Sequence, residues 1–291
     1  MSNIQRTIPE RAANIGNFMV GRLLPFRQKR AVGPFVFIDH MGPEEMSEQQ
    51  NLDVLSHPHI GLSTLTFLFD GAMVHRDSLG NEVEIRPGAV NWMTAGKGVV
   101  HSERTPARLR NQKKRLHGLQ IWVALPKDLQ ECEPSFIHIP ANEIPARKED
   151  GLDIKLIAGE LNDLKSPVPV KSPLYLMELT STKKQTVDLG DRLYGESALY
   201  ILKGTVTSEG NEYDAKQILV AKDAELCIFE MSKGTVVYIF GGEPFPEERF
   251  IDWNFVSSSK ERLKKAKEDW IQKRFPMIEG ETGFVPYPGT R

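Results

Sequence analysis

HPHIGLSTLTFLFDG occupies residues 57–71, and PGAVNWMTAGKGVVHSE occupies residues 87–103. These two segments are the part of the sequence most informative about the fold. Each segment joins a short run of branched and aromatic residues to a turn that contains glycine. Such runs are typical of β-strands, because these side chains pack well on a pleated surface. The two segments therefore predict strands that turn sharply and pair with their neighbours.

Runs of the same kind recur along most of the chain. They include FVFI at residues 35–38, LQIWV at 119–123, LYLMEL at 174–179 and TVVYIF at 235–240. Gly, Pro, Asn and Asp separate the runs, and the regular strand–helix alternation of a parallel α/β sheet is absent from the pattern. The sequence therefore predicts an all-β protein built from sandwiches or barrels.

One helix is expected near the C-terminus, over about residues 258–275. Ser258 and Glu261 form the S-x-x-E pattern of a capping box, and Pro276 would stop the helix. Apolar residues follow at helical spacing: Leu263, Ala266 and Trp270. The lysines between them predict a solvated face of an amphipathic helix.

A faint internal repeat suggests two domains. LTFLFDGAMV…LGNEVEI in the first half is echoed by LYILKGTVT…EGNEYDA in the second, which aligns Gly71 with Gly204. A length of 291 residues suits two cores. Since the segment 140–151 has linker character, we expect domains at 1–140 and 141–291. Apolar residues would fill the interior of the second domain: Leu199, Ile201, Leu219 and Ile228.

Composition excludes several classes of partner. The formal net charge of −2 gives no general attraction to nucleic acid or anionic lipid, and no apolar segment is long enough to span a membrane. The two cysteines are far apart and form no metal or redox motif, which is typical of a reducing compartment. We therefore expect a cytoplasmic protein without direct nucleic-acid or membrane binding.

The histidines point to a metal site in the first half. All seven lie at or before His138, and two pairs stand out: His57 with His59, and His101 with Glu103. Residues two apart on a strand face the same side, so two neighbouring strands would bring three imidazoles and a carboxylate together. These groups suit a first-row divalent metal. A single H-x-H is common on ordinary half-buried strands, but the second pair makes coincidence a weaker explanation.

The other histidines have plainer interpretations. His117, at the start of HGLQIWV, could orient a metal ligand or serve as a core residue. His75 follows a turn and is expected to face solvent, and His40 is expected in a loop near the site. Three large residues on barrel strands are expected in the core: Trp92, Met93 and Trp122.

These motifs resemble those of the pirin family of the cupin superfamily. GPFVFIDHMGP, HGLQIWVALP and WNFVSSSKERLKKAKEDW extend the resemblance over nearly the whole chain. It implies two cupin barrels, of the jelly-roll type, with metal only in the N-terminal one. The implied ligands are His57, His59, His101 and Glu103, and the implied metal is Fe(II), with Ni, Mn, Co, Cu or Zn as alternatives.

At Ser63 the sequence departs from the pirin pattern. Pirin-like proteins often carry a glutamate four residues after the second histidine, where this chain has Ser63 followed by Thr64. Glu103 would then supply the only carboxylate ligand. Any role that the missing glutamate has beside the ligands is therefore in doubt for this chain.

The resemblance implies a quercetin 2,3-dioxygenase-type oxidoreductase that opens a flavonol. Glu103 would be the catalytic base that takes the proton of the substrate hydroxyl. The alternative is a metal- or redox-responsive regulatory protein that binds a protein partner, as a transcriptional or metabolic co-regulator, without turnover. A structural zinc or nickel barrel is the third possibility, and the sequence leaves all three open.

Overall fold

The computed structural model describes residues 3–15, 18–222 and 228–290, and it is dominated by β-strands. The all-β expectation is confirmed. Within the described residues, no helix has the length and apolar character that a membrane crossing requires. The strands, in chain order, are β1 Ile4–Pro9, β2 Arg11–Asn14, β3 Met19–Leu24, β4 Phe35–Met46, β5 Asp53–His59, β6 Leu62–Asp70, β7 Met73–Asp77, β8 Glu82–Ile85, β9 Val90–Thr94, β10 Val99–Arg104, β11 Lys114–Ala124, β12 Ser135–Ile139, β13 Ala146–Glu149, β14 Leu152–Leu161, β15 Leu164–Lys165, β16 Leu174–Ser181, β17 Gln185–Asp188, β18 Glu196–Lys203, β19 Thr205–Ser208, β20 Asn211–Asp214, β21 Gln217–Ala221, β22 Ile228–Met231, β23 Val236–Gly242, β24 Phe250–Asp252 and β25 Phe255–Ser257.

Short 3₁₀ turns connect some of these strands, and one α-helix follows them. The 3₁₀ turns are Ala107–Leu109, Lys127–Leu129, Ala141–Glu143 and Gly190–Arg192, and helix α1 is Lys260–Ile271. The helix is shorter than the predicted 258–275. Its cap is Ser259, whose side chain accepts a hydrogen bond from the Arg262 amide, so the predicted capping box at Ser258 is wrong by one residue. Ser258 instead bonds Gln130.

The chain divides into two compact units. Within the described residues, the first comprises the segments Met1–Arg11, Gly21–Ile38 and Asn142–Phe245, and the second comprises Ala12–Val20, Asp39–Ala141 and Pro246–Arg291. These units do not coincide with the consecutive halves 1–140 and 141–291. Independent folding of those halves stays a prediction.

The first unit pairs an eight-stranded sheet with a four-stranded sheet. The larger sheet has the order β1-β21-β18-β23-β16-β14-β13, with β15 on β14, and the smaller has the order β17-β22-β19-β20. Leu199, Ile201 and Leu219 are buried in the core, as predicted. Ile228 is 56% exposed, so its predicted place in the interior is wrong. It begins β22, where alternation sends Phe229 and Met231 inward instead.

The second unit holds the strands that carry the paired histidines. Its four-stranded sheet has the order β5-β10-β7-β8, and the neighbouring strands β12-β9-β6-β11 of a larger sheet lie wholly within it. The buried face of α1, with Trp270, packs in one cluster with Ile60 and Val100, which lie just beyond β5 and within β10. The C-terminal helix therefore packs within the histidine-bearing unit.

The predicted internal repeat has a structural counterpart in two glycines. Gly71 lies between β6 and β7, Gly204 lies between β18 and β19, and both have positive φ angles of +86° and +81°. A Cβ on Gly71 would lie 2.1 Å from the carbonyl oxygen of Arg115, and one on Gly204 would lie 2.3 Å from Thr235 Oγ1. Each unit therefore needs a residue without a side chain at the same turn.

We predict that Gly71→Ala destabilises the protein more than Gly80→Ala. Gly80 also has a positive φ, of +90°, but a Cβ there meets no described atom within 4 Å. Gly80→Ala should therefore cost only the left-handed strain, about 1–2 kcal/mol, whereas Gly71→Ala should cost about 1–3 kcal/mol more through the clash. Urea denaturation measures both variants. Equal losses of stability would contradict the close approach at Gly71.

Candidate metal centre

The register of β5 and β10 brings the paired residues together. The two strands are antiparallel, with His101 opposite His57 and Val99 opposite His59. Because side chains alternate along each strand, His57, His59 and His101 all face the same side. A β-bulge between His101 and Glu103 breaks the register, and Glu103 lies opposite Val54. The step from His57 to Val54 on β5 is one residue longer than the step from His101 to Glu103 on β10, so the irregularity lies on β5, and β10 keeps a regular register with β7.

Three histidine side chains form a buried cluster. One ring nitrogen from each of His57, His59 and His101 lies within 4.8 Å of the other two. The Nε2 atoms of His59 and His101 are 3.1 Å apart. The three residues are 7%, 1% and 1% exposed, respectively. This is the one group of three potential metal-ligating side chains among the described residues.

Backbone carbonyls fix the proton position on two of the rings. His57 Nδ1 lies 2.8 Å from the carbonyl oxygen of Leu55, and His59 Nδ1 lies 3.1 Å from that of Asn254. A carbonyl oxygen only accepts, so each Nδ1 must carry the proton and donate it. In the neutral ring, Nε2 then has a free lone pair that faces the cluster.

The third ring is oriented by side chains. His101 Nδ1 lies 3.4 Å from His75 Nδ1, and His75 Nε2 lies 2.9 Å from Asp77 Oδ2. Burial opposes the charge on Asp77, but hydrogen bonds from His75 and Asn81 outweigh it and lower the pKa of Asp77. An ionised Asp77 accepts from His75 Nε2, which leaves His75 Nδ1 to accept from His101 Nδ1. His101 Nε2 therefore also presents a lone pair.

These three lone pairs fit a divalent metal. Lone pairs of two imidazole nitrogens that face each other at 3.1 Å repel, and a cation bound by both removes that repulsion. Ligand bonds of roughly 2.0–2.1 Å at right angles place nitrogens about 3 Å apart. The donor set, the proton positions and the spacing all suit a first-row divalent metal held by His57, His59 and His101.

Burial keeps the metal-free imidazoles neutral. It lowers the pKa of His57 to about 4, against a smaller raising effect of the bond to Leu55. Burial, with the neighbouring imidazoles second, also lowers the pKa values of His59 and His101 well below 6.5. Proton competition for metal therefore moves below the pH of about 6 expected for ordinary histidines.

Glu103 lies beside the cluster but is not one of its members. It is 7% exposed, and burial raises its pKa to about 7. Thr66 Oγ1 is 3.5 Å from Glu103 Oε1 but 2.9 Å from Gln120 Oε1, so the single hydroxyl proton favours Gln120. The carboxylate is therefore held weakly, and its role as a metal ligand stays a prediction.

His75 belongs to the site although its place after a turn predicts a solvent-facing side chain, and both interpretations of His117 stay open. His75 is 4% exposed and bonds His101, so its predicted solvent-facing position is wrong. His117 Nε2 lies 2.8 Å from His40 Nε2, within hydrogen-bond distance. A usable signal existed: His75 and Asp77 form a third pair of polar residues two apart, like the two pairs that were recognised.

The large strand residues are buried, as predicted, and one of them also shapes the site. Trp92 and Met93 are each 1% exposed and Trp122 is 7% exposed. The Trp122 ring packs edge-on against His59, with ring centroids 5.0 Å apart. Ser63 is bonded to Thr94 Oγ1 at 3.1 Å, in the core. The position where the family resemblance implies a glutamate therefore supplies no carboxylate here.

The outer side of the same two strands is braced by Glu281. Its carboxylate accepts from Ser56 Oγ and Ser102 Oγ, both at 2.8 Å, and from Arg104 Nη2 at 2.7 Å. Burial opposes the charge, but the bonds from Arg104 and the two serines outweigh it and lower the pKa of Glu281 to about 2. Since Ser56 and Ser102 alternate with the histidines, this C-terminal carboxylate ties together the strands of the cluster.

The sequence of this chain matches two protein-family models. The family model described as Pirin matches residues 17–123, and that of the Pirin C-terminal cupin domain matches residues 176–276. A pirin-like protein of Caulobacter vibrioides is 46% identical over 96% of this chain and 97% of its own. The two barrels expected from the sequence are therefore of the cupin type.

Solved structures show the same fold. A crystal structure of quercetin 2,3-dioxygenase from Acinetobacter baumannii has a TM-score of 0.89 and 36% identity, and covers 98% of this chain and 95% of that one. A bacterial pirin from Escherichia coli, in complex with nickel(II), has a TM-score of 0.62 and 20% identity over 82% of this chain and 99% of that one. At 20% identity, the similarity to the Escherichia coli protein shows a shared fold.

We predict that Glu103→Gln stabilises the metal-free protein at pH 8. The pKa of Glu103 is raised from 4.5 to about 7 in the folded state, so its contribution is favourable below pH 4.5 and is lost as the pH rises through 7. Removal of the buried charge should therefore add up to about 3 kcal/mol at pH 8 and almost nothing at pH 4.5.

Denaturant unfolding of chelator-treated protein at the two pH values measures this difference. Glu82→Gln is a matched control, because the Glu82 side chain is 65% exposed and should show no such pH dependence. Equal stability of Glu103→Gln and wild type at pH 8 would show that the carboxylate is not buried in its charged form.

Proposed function

The chain belongs to the pirin family, and from that membership we propose that it is a metal-dependent dioxygenase acting on a small enolic phenol. The substrate class we propose is a flavonol such as quercetin, by likeness to the Acinetobacter baumannii quercetin 2,3-dioxygenase. The observation that carries the proposal is the convergence of three unprotonated imidazole nitrogens beside a buried carboxylate. This arrangement combines a metal site with a group able to accept a proton.

We propose His57, His59, His101 and Glu103 as the ligands and Fe(II) as the metal. Three neutral imidazoles and one carboxylate leave positions open on an octahedral ion. The metal, when bound, supplies Lewis acidity and a template for an enolate and dioxygen. The weak hold of Thr66 on Glu103 favours this assignment, because the carboxylate can turn toward the histidines with little loss of hydrogen bonding.

Glu103 is the group we propose as the base. Burial raises its pKa to about 7 in the metal-free protein, which makes this carboxylate a stronger proton acceptor than an exposed glutamate. A carboxylate oxygen that is not committed to the metal would take the proton from the substrate hydroxyl. Trp122 would help to exclude water, since it packs on His59 and is itself buried.

One observation favours the regulatory alternative. His57, His59, His101 and Glu103 are each no more than 7% exposed. Two cavities of the described residues, of about 300 and 460 Å³, are lined by none of the four. A site closed in this way suits a metal whose redox state changes a surface that binds a protein partner. Turnover would then require the site to open.

A dioxygenase turns over its substrate, whereas a regulatory protein does not. Glu103→Gln is the variant that tests the proposed base. The amide keeps the size and one oxygen but loses the charge and most of the basicity. If Glu103 is both ligand and base, bound metal should fall modestly while oxygen uptake with a flavonol falls about 10²-fold or more. Metal analysis and an oxygen electrode, with enzyme loaded anaerobically with Fe(II), give the two quantities.

His101→Ala is the comparison, because it should reduce metal content and oxygen uptake together. Equal losses of metal and rate in Glu103→Gln would leave Glu103 a ligand role and remove the base. If the loaded wild type consumes no oxygen with any flavonol or related enol, the regulatory function is supported instead.

A further inference from the structure

We propose that His75 and Asp77 are positioning residues that hold His101 in the one tautomer able to bind metal. This inference rests on the proposed metal binding by His101. It concerns the direction of two hydrogen bonds, from His101 Nδ1 to His75 Nδ1 and from His75 Nε2 to Asp77 Oδ2. We call these two hydrogen bonds the relay.

The acceptor at the end of this relay is set by the turn around Asp77. Asp77 Oδ1 accepts from the backbone amides of Leu79 and Asn81, at 2.9 and 3.1 Å. Asn81 Nδ2 donates to both carboxylate oxygens, at 3.0 and 2.9 Å. Every described partner of Asp77 in this turn is therefore a donor, and Asp77 Oδ2 is left as the acceptor for His75 Nε2.

The strand register places this acceptor where His101 needs it. On the neighbouring strands β7 and β10, Asp77 lies opposite His101 and His75 lies opposite Glu103. The His75 ring is stacked on Phe136, with centroids 4.3 Å apart and an interplanar angle of 11°. Packing on Phe136 opposes a ring flip, which would exchange the two nitrogens of His75. The relay is therefore fixed at both of its links.

His101 is held differently from the other two rings. The Nδ1 protons of His57 and His59 bond backbone carbonyls, whose acceptor role no substitution can reverse. The His101 proton bonds a second imidazole, which can act as donor or acceptor. The tautomer of His101 thus depends on Asp77, which is two hydrogen bonds away through His75. Replacing one carboxylate oxygen of Asp77 with an amide nitrogen can therefore reverse the tautomer.

Asp77→Asn makes that change. The three hydrogen bonds at Oδ1 favour keeping the amide oxygen there, which places the new NH₂ group toward His75 Nε2. His75 must then accept at Nε2 and donate from Nδ1, and His101 must carry its proton on Nε2. We expect the Zn²⁺ affinity of the full-length protein to fall 10–100-fold, the scale of lost support behind a metal-bound histidine.

Two measurements on isotopically labelled protein test the relay. Competition with a chromophoric chelator gives the Zn²⁺ affinity, and ¹⁵N NMR of the metal-free protein reports which ring nitrogen carries the proton. We expect His101 to be protonated at Nδ1 in the wild type and at Nε2 in Asp77→Asn. Unchanged affinity together with an unchanged tautomer would overturn the proposal.

Asn81→Ala is the matched control, because it loosens the same turn without offering His75 a donor. Its Zn²⁺ affinity should stay within about threefold of wild type, whereas a loss equal to that of Asp77→Asn would reduce the effect to turn structure and overturn the relay. His75→Phe provides a second variant should Asp77→Asn fail to fold. Its ring can keep the stacking on Phe136 but accepts no proton, so unchanged affinity there also overturns the proposal.

The same measurements distinguish an error in the proposed ligand set from an error in the relay. If the wild type binds no Zn²⁺, the proposed ligand set is wrong, while the NMR spectrum still decides whether His101 is protonated at Nδ1. A wild type that binds Zn²⁺ with His101 protonated at Nε2 in its metal-free form would overturn the relay alone.

Discussion

The hydrogen bonds on the far side of three imidazole rings are the interaction on which this site depends. A neutral imidazole has one N–H and one lone pair, so the partner of Nδ1 decides what Nε2 can do. Leu55 and Asn254 supply carbonyls to His57 and His59, and His75 supplies a lone pair to His101. With those three bonds made, every Nε2 faces the cluster unprotonated. The geometry therefore prepares a metal site before a metal is bound.

The rest of the second unit keeps these rings in place. Antiparallel pairing of β5 and β10 sets the spacing of His57 and His101, and β7 brings the relay alongside. On the outer side, the buried carboxylate of Glu281 joins the same strands through Ser56 and Ser102. Burial of the cluster costs stability below pH 6.5, where exposed imidazoles would be protonated, and above pH 4.5, where an exposed Glu103 would be ionised. The packing of helix α1 in one cluster with Ile60 and Val100, and the hydrogen bonds that Glu281 accepts from Ser56 and Ser102, stabilise the unit against this cost.

Sequence alone predicted the strands and the histidine cluster, because both follow from a period of two. His57, His59 and His101 are found together as expected. The period could not show the register shift between β5 and β10 that places Glu103 opposite Val54, since such a shift depends on the pairing of two strands. The position of His75 was misread for a related reason. Its partners are Asp77 at the end of β7 and His101 on β10, so the pair of polar residues two apart hints at a role, while the burial of His75 follows from the pairing of β7 with β10. Ile228 and the cap at Ser259 show the same limit, because a shift of one residue changes the face or the cap.

Which atoms bind the metal is the central claim, and a structure of the metal-loaded protein tests it most directly. A crystal structure with Fe(II) or Zn²⁺, or X-ray absorption at the metal edge, would give the ligand identities and distances. We predict one ion bound by Nε2 of His57, His59 and His101 and by an oxygen of Glu103, at roughly 2.0–2.2 Å. An ion bound at another place, or one that leaves any of the three imidazoles unbound, would contradict the account.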